Sequence, residues 1–177
     1  MRGRLFLPAL LRELRKKIDK AEIQTIEKMR VSVFRKMIPE IRIQPRAKEL
    51  LQYFDKVGAR WAVATSGDRS QVEQLLKNFD IPASVPVITG DDVASANPAP
   101  DTFVLAAQRL EVSPHDSIVI GDSPWDRLAA QRMRGLGIGL LCGGDAQEEL
   151  ERAGAYRVYE DPGDLLAHIE ELGIQTE

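Results

Sequence analysis

Ser117-Ile118-Val119-Ile120-Gly121-Asp122-Ser123-Pro124-Trp125-Asp126 is the stretch on which the fold turns. Ile118, Val119 and Ile120 form an unbroken apolar run of strand-forming residues. An unbroken run, in contrast to an alternating one, marks a strand covered on both faces. Gly121 lets the chain leave the strand in a sharp turn. A helix then runs from about Trp125 to Met133, with Asp122 and Asp126 four residues apart where it begins.

The same strand-then-helix unit repeats outward in both directions. Short apolar runs occur at RWAVATS (60–66), VPVIT (85–89), IGLLC (138–142) and YRVYE (156–160). Between them lie helical faces: Leu50, Leu51, Phe54 and Val57; Val72, Leu75, Leu76 and Phe79; Phe103, Val104, Ala107 and Leu110; and finally Leu165, Leu166, Ile169 and Leu172. The class is therefore α/β, a Rossmann-like parallel sheet covered by helices. Such sheets bind ligands at the carboxyl ends of their strands. The segments to inspect are thus 65–68, 90–92, 121–123 and 143–145.

Residues 1–44 differ in kind. Leu7, Leu10, Leu11, Leu14 and Ile18 recur at helical spacing, and a second helix is expected over 21–37. IPEIRIQP (38–45), with two prolines, is a linker. Residues 1–50 carry 14 Lys/Arg against 6 Asp/Glu, net +8, whereas residues 51–177 carry 10 against 21, net −11. Two units are expected, 1–44 and 45–177.

Composition excludes several classes of function. No apolar stretch approaches the ~18 residues needed to cross a bilayer, so no membrane role is expected. The single cysteine, Cys142, excludes an intramolecular disulfide, and a cytoplasmic location is expected. The basic run Arg12, Arg15, Lys16, Lys17 and Lys20 lacks interleaved aromatics, so no nucleic-acid partner is expected. GLGIG (135–139) follows a helix and precedes a strand, the reverse of a dinucleotide loop. His115, in SPHDS, and His168, on the polar side of the last helix, belong to solvated surface and Cys142 to packing, while Trp125 either lines the site or packs.

Three segments could carry chemistry. In GDSPWD (121–126), Asp122 and Asp126 are hard oxygen donors suited to Mg²⁺. Equally, Asp122 or Ser123 could cap the helix while Asp126 favours its dipole, and spacing alone does not choose. In ATSGD (64–68), Thr65, Ser66 and Gly67 offer hydroxyls and backbone N–H groups to an anion ahead of a helix, or simply cap it. In ANPAPD (96–101), two prolines make a stiff elbow before a helix beginning near Asp101.

Taken in order, these segments resemble the haloacid dehalogenase (HAD) superfamily, nearest its β-phosphoglucomutase-like and phosphoglycolate-phosphatase-like members. The resemblance covers about residues 45–172, with AGAYRVYEDPGDLL (153–166) similar to the usual end of such domains and residues 1–44 similar to part of a helical cap. It implies phosphate-ester hydrolysis of a small phosphorylated metabolite, with Thr65, Ser66, Gly67 and Asn97 on phosphate and Asp122 and Asp126 on Mg²⁺. Two departures qualify that expectation. The family's Asp-x-Asp-Gly-Thr segment, whose first Asp attacks phosphorus, has no match here. Asn97 stands where the family has Lys, and a neutral hydrogen bond is about half as strong as a charge-assisted one. Arg69 either compensates for that lost charge or points to solvent.

The absent segment also forms the family's first strand, which lies centrally. Its absence predicts a gap between the strands of RWAVATS and SIVIG, an N-terminally truncated chain of weak or no activity, and self-association through the open sheet. The alternative is a non-catalytic remnant that binds phosphate, metal or a partner.

Overall fold

The structure is a computed structural model describing residues 19–95 and 97–174. The helix expected over residues 7–18 lies outside the described residues. Helix α1, Lys20–Met37, starts at Asp19, whose carboxylate accepts from the Glu22 N–H while Glu22 reaches back to the Asp19 N–H. This reciprocal pair satisfies two otherwise orphaned donors. Ile26, Met29, Val33 and Met37 leave an exposed apolar side on α1. The Pro-containing linker then makes one 3₁₀ turn, Ile38–Glu40, and no longer helix.

After the linker the chain alternates as its periodicity predicts. In order come α2 (Ala47–Lys56), β1 (Val63–Ala64), α3 (Arg69–Leu76), β2 (Val87–Ile88), α4 (Asp101–Arg109) and β3 (Ile118–Gly121). Next are α5 (Pro124–Arg132), β4 (Leu136–Leu140), α6 (Gln147–Arg152), β5 (Arg157–Tyr159) and α7 (Pro162–Ala167), with a 3₁₀ turn at Ile169–Leu172. Every described strand pairing is parallel. The sheet is divided in two: β1 pairs with β2, and β3-β4-β5 form a separate three-stranded ladder.

Helices cover both faces. Leu50 and Phe54 of α2 and Leu165 of α7 pack with Ile138, Leu140, Tyr159 and Ile169 on one side. Ala130 of α5 and Met133 just beyond it meet Val119 on the other, with Phe103 and Val104 of α4 alongside. Alternation along β4 sends Ile138 and Leu140 to the first side and leaves Gly137 and Gly139 on the second. A Cβ at Gly139 would stand 3.1 Å from Leu150 Cδ1 of α6, so close helix-to-sheet packing selects glycine there.

Three expectations need correction. The strand placed at 138–142 runs Leu136–Leu140, and Cys142 lies in a 3₁₀ turn, Leu141–Gly143. The glycines of 135–139 had suggested a connection, but helix clearance accounts for Gly137 and Gly139 within the strand. Helix α6 was missed because its single buried residue, Leu150, leaves no periodic apolar face to read.

Candidate active site

The site lies where β1 and β3 end. A cavity of about 370 Å³ opens there, lined by Thr65 and Ser66 after β1, Asn97 before α4, and Asp122, Ser123 and Asp126 after β3. Three segments separated by some thirty residues each thus converge on one polar hollow. Gly67 is not on its lining. Its N–H turns back to Thr65 Oγ1 at 3.1 Å, and its carbonyl accepts from the Gly90 N–H at 2.9 Å.

The turn after β3 is built by its own residues. Ser123 caps α5: its Oγ donates to Asp126 Oδ2 at 2.8 Å and accepts from the Asp126 N–H at 3.4 Å. The Ser123 N–H also donates to Asp126 Oδ2, at 3.3 Å. Gly121 is required here for clearance and not for a left-handed turn. A Cβ on it would stand 2.8 Å from both Asp126 Oδ2 and Arg127 Nη2, and its φ is not positive.

Asn97 sits behind Asp126 and is 5% exposed. Its Nδ2 donates to Asp126 Oδ1 through a short hydrogen bond, and its Oδ1 accepts from Thr102 Oγ1 at 3.3 Å. The peptide bond from Asn97 to Pro98 is cis. Arg132 of α5 donates to the Pro98 carbonyl at 2.6 Å, so two bonds tie this elbow to the helix carrying Asp126. Arg69 does not reach the cavity lining. Its Nη2 donates to both carboxylate oxygens of Asp92 at 2.7 Å, and its backbone N–H donates to Asp91 Oδ2 at 2.9 Å.

Asp122 is disfavoured as a charged group. Partial burial pushes the Asp122 carboxyl up from its ordinary pKa, and the neighbouring Asp126 carboxylate pushes it further. A cation between them would relieve this repulsion. A carboxylate has about four acceptor positions. Asp126 commits both of those on Oδ2 and one on Oδ1 to hydrogen bonds, leaving one free position on Oδ1. Among the described residues no three His, Cys, Asp or Glu side chains gather as a metal cage. The donor set thus suits an ion that takes one or two carboxylates and completes its shell with water and phosphate, as Mg²⁺ does.

Arg127 and Thr102 escaped the sequence reading, whereas Ser123, one of the two expected caps, is the residue that caps α5. Arg127 is fully buried beneath the site. Its Nη1 donates to the Val119 carbonyl at 2.9 Å and, through a shorter bond, to the Ile138 carbonyl, clamping β3 to β4. Its Nε and Nη2 have no protein partner among the described residues. Burial pulls its pKa down to about 10, although Asp126 and Asp122 pull the other way. The signals present were the Ser-x-x-Asp cap at 123–126 and the position of Arg127, three residues before Ala130 on the inward helix face.

Comparison with known proteins identifies the family. A family model described as haloacid dehalogenase-like hydrolase matches residues 2–134. Hexitol phosphatase A of Escherichia coli is 34% identical over 80 residues, covering 45% of this chain and 37% of that protein. Phosphoglycolate phosphatase of the same organism is 28% identical over 123 residues, covering 69% of this chain and 49% of that protein. These matches therefore span less than half the length of either curated relative. A hydrolase structure from Pseudomonas syringae superposes with a TM-score of 0.91 at 39% identity, covering 97% of this chain and 79% of that one. No described helix is long and apolar enough to cross a membrane. With its strand-end hollow, its parallel ladders and a family match across most of its length, this chain belongs to the haloacid dehalogenase-like hydrolases.

Proposed function

We propose that the site descends from a Mg²⁺-dependent phosphatase for a small phosphorylated metabolite, and that this 177-residue chain alone has little or no hydrolytic activity. The observation that carries the first half is the 370 Å³ polar cavity holding Thr65, Ser66, Asn97, Asp122 and Asp126 together. Asp122 and the free position on Asp126 would hold Mg²⁺, and Ser66 would donate to a phosphoryl oxygen. Thr65 would add its hydroxyl proton while its oxygen keeps the Gly67 N–H. Asn97 orients Asp126 through its amide, so its contribution to phosphate passes largely through the carboxylate it holds. When bound, Mg²⁺ would neutralise phosphoryl oxygens and reduce the repulsion between phosphate and the two carboxylates.

The second half rests on what the cavity lacks. A hydroxyl becomes a useful nucleophile when an adjacent base activates it. The two histidines, His115 and His168, are absent from the cavity lining. The two carboxylates there would be taken up by the cation. The sequence contains no Asp-x-Asp-Gly-Thr segment to supply another.

Two measurements test the two halves separately. Calorimetric Mg²⁺ titration should show binding that is lost in Asp122→Ala, and a folded protein with no Mg²⁺ heat would defeat the metal assignment. Purified chain should leave p-nitrophenyl phosphate essentially unhydrolysed. Mg²⁺-dependent turnover that disappears in Asp122→Ala would overturn the claim of inactivity.

A further inference from the structure

Among the described residues, Arg127 of α5 is the only charged side chain that is buried. Its Nη1 holds the Val119 and Ile138 carbonyls, while its Nε and Nη2 have no protein partner. Nη2 is turned toward the candidate active site. A Cβ on Gly121 would stand 2.8 Å from Arg127 Nη2 and 2.8 Å from Asp126 Oδ2, so both atoms crowd the same point on Gly121. Gly121 lines the polar cavity and Arg127 does not. The guanidinium thus lies behind the cavity lining, beside Asp126 but not bonded to it.

Strand clamping does not account for this placement, because it uses Nη1 alone. Burying a guanidinium with two idle donors is costly, and an apolar side chain of similar volume is often as stable or more so. Arginine stays charged in proteins, so α5 carries a fixed positive charge beneath the site. The cavity lining offers two carboxylates, Asp122 and Asp126, and no Lys, Arg or His. Asn97, bonded to Asp126, is neutral. Burial first, and then Asp126, push the Asp122 carboxyl up, whereas Arg127 pulls it down. A phosphate group entering this hollow meets two like charges, and Arg127 is the buried charge of opposite sign.

We infer that Arg127 sets the charge of the phosphate site from behind Gly121: its fixed cation weakens binding of the free metal ion and strengthens retention of a phosphate group on the metal-loaded site. This rests on the phosphatase reading above and adds to it the group that balances the two carboxylates. Arg127 touches neither ligand, so it is a positioning residue that acts through its field. Charges a few ångströms apart near a protein surface interact at an effective dielectric of about 20, so removing one of them changes the affinity of a divalent ion or a phosphate by about tenfold or more. The two changes have opposite signs, because one charge repels Mg²⁺ and attracts phosphate. A residue that only clamps β3 to β4 lacks this signature. Loosening the end of β3 would weaken both ligands together.

Calorimetric titration with Mg²⁺, and then with inorganic phosphate at saturating Mg²⁺, compares the native chain with Arg127→Met and Arg127→Lys. Arg127→Met should bind Mg²⁺ about tenfold more tightly and phosphate about tenfold more weakly. Arg127→Lys keeps the charge and should return both affinities close to the native values. Should Arg127→Met fail to fold, Arg127→Gln, also neutral, takes the same two readings. Both affinities falling together, or neither moving, would overturn the inference and leave Arg127 a clamp. A native chain that binds no Mg²⁺ defeats the metal assignment instead. In that case Mg²⁺ binding gained by Arg127→Met upholds the charge role, and no gain overturns it as well.

Discussion

The two parts of the sheet share a helix cover and a parallel architecture, yet they bury their strands very differently. In the three-stranded ladder, β4 lies between β3 and β5 and Ile138 has no exposed surface. In the two-stranded ladder, Val63 and Ala64 stay half-buried. Ile118 and Ile120, on the edge of the larger ladder that faces the gap, are half-buried too. Apolar strand composition is alike on both sides, so hydrophobicity does not account for the contrast. Among the described residues β1 and β3 each have a sheet partner on one side only, and the residues flanking Val119 on β3 stay half-buried while Val119 itself, under α5, is buried. The candidate active site sits at the end of that gap, drawing Thr65 and Ser66 from the smaller ladder and Asp122 and Asp126 from the larger.

The largest expected effect sharpens this contrast directly. Ile138→Ala should cost about 2–5 kcal/mol in chemical denaturation, the range for truncating a fully buried Ile. Val63→Ala should cost about 1 kcal/mol, because its side chain is only partly removed from water. Comparable losses would mean that the gap is closed in solution. Next is the proposed metal site at the end of the larger ladder. Asp122→Ala should weaken Mg²⁺ binding by well over tenfold and Asn97→Ala by about tenfold, since Asn97 orients Asp126 without needing to touch the ion. A larger loss in Asn97→Ala, by calorimetry, would make the amide a direct ligand.

A smaller effect is expected at the clamp within the larger ladder. Arg127→Met should change stability by no more than about 1 kcal/mol, as an apolar side chain avoids burying two unpartnered nitrogens while giving up two bonds to carbonyls. A loss of about 3 kcal/mol or more would mean that the Val119 and Ile138 carbonyls depend on this cation.

The smallest effect belongs to the two-stranded part. Bonds from the Thr89 N–H and hydroxyl, then from Arg69, hold Asp92 down to a pKa of about 2. Because the folded value lies below the ordinary carboxyl value, the stabilisation is present above about pH 4 and disappears as pH falls towards 2. Asp92→Asn should flatten this part of the acid limb in a melting-temperature series from pH 5 to pH 2. An unchanged limb would assign acid sensitivity to other groups.

Much of the site was legible because its signals are local. Residues 121–126 contain the strand exit, the cap and both carboxylates, so one short window holds the whole turn. The reason for Gly121 was not legible. Its clearance against Asp126 and Arg127 depends on how the next helix folds back, and a sequence records only that no side chain is present. Asn97 was found as the elbow before a helix, but its bond to Asp126 spans 29 positions along the chain. Arg69 remained open between two roles until Asp92, 23 positions away, proved to hold it.

Periodicity and turn chemistry in the chain itself suffice for an α/β fold with alternating elements and a polar strand-end site, because neighbours within a few residues impose helix faces, caps and strand runs. Which strands pair, which edges stay open and which side chains share a cavity are settled only in three dimensions. Those contacts join distant segments, and their free energies depend on the water and backbone partners that packing excludes. The cavity between β1 and β3 belongs to that second kind: each strand carries an ordinary apolar sequence, and only their placement in separate ladders encloses it.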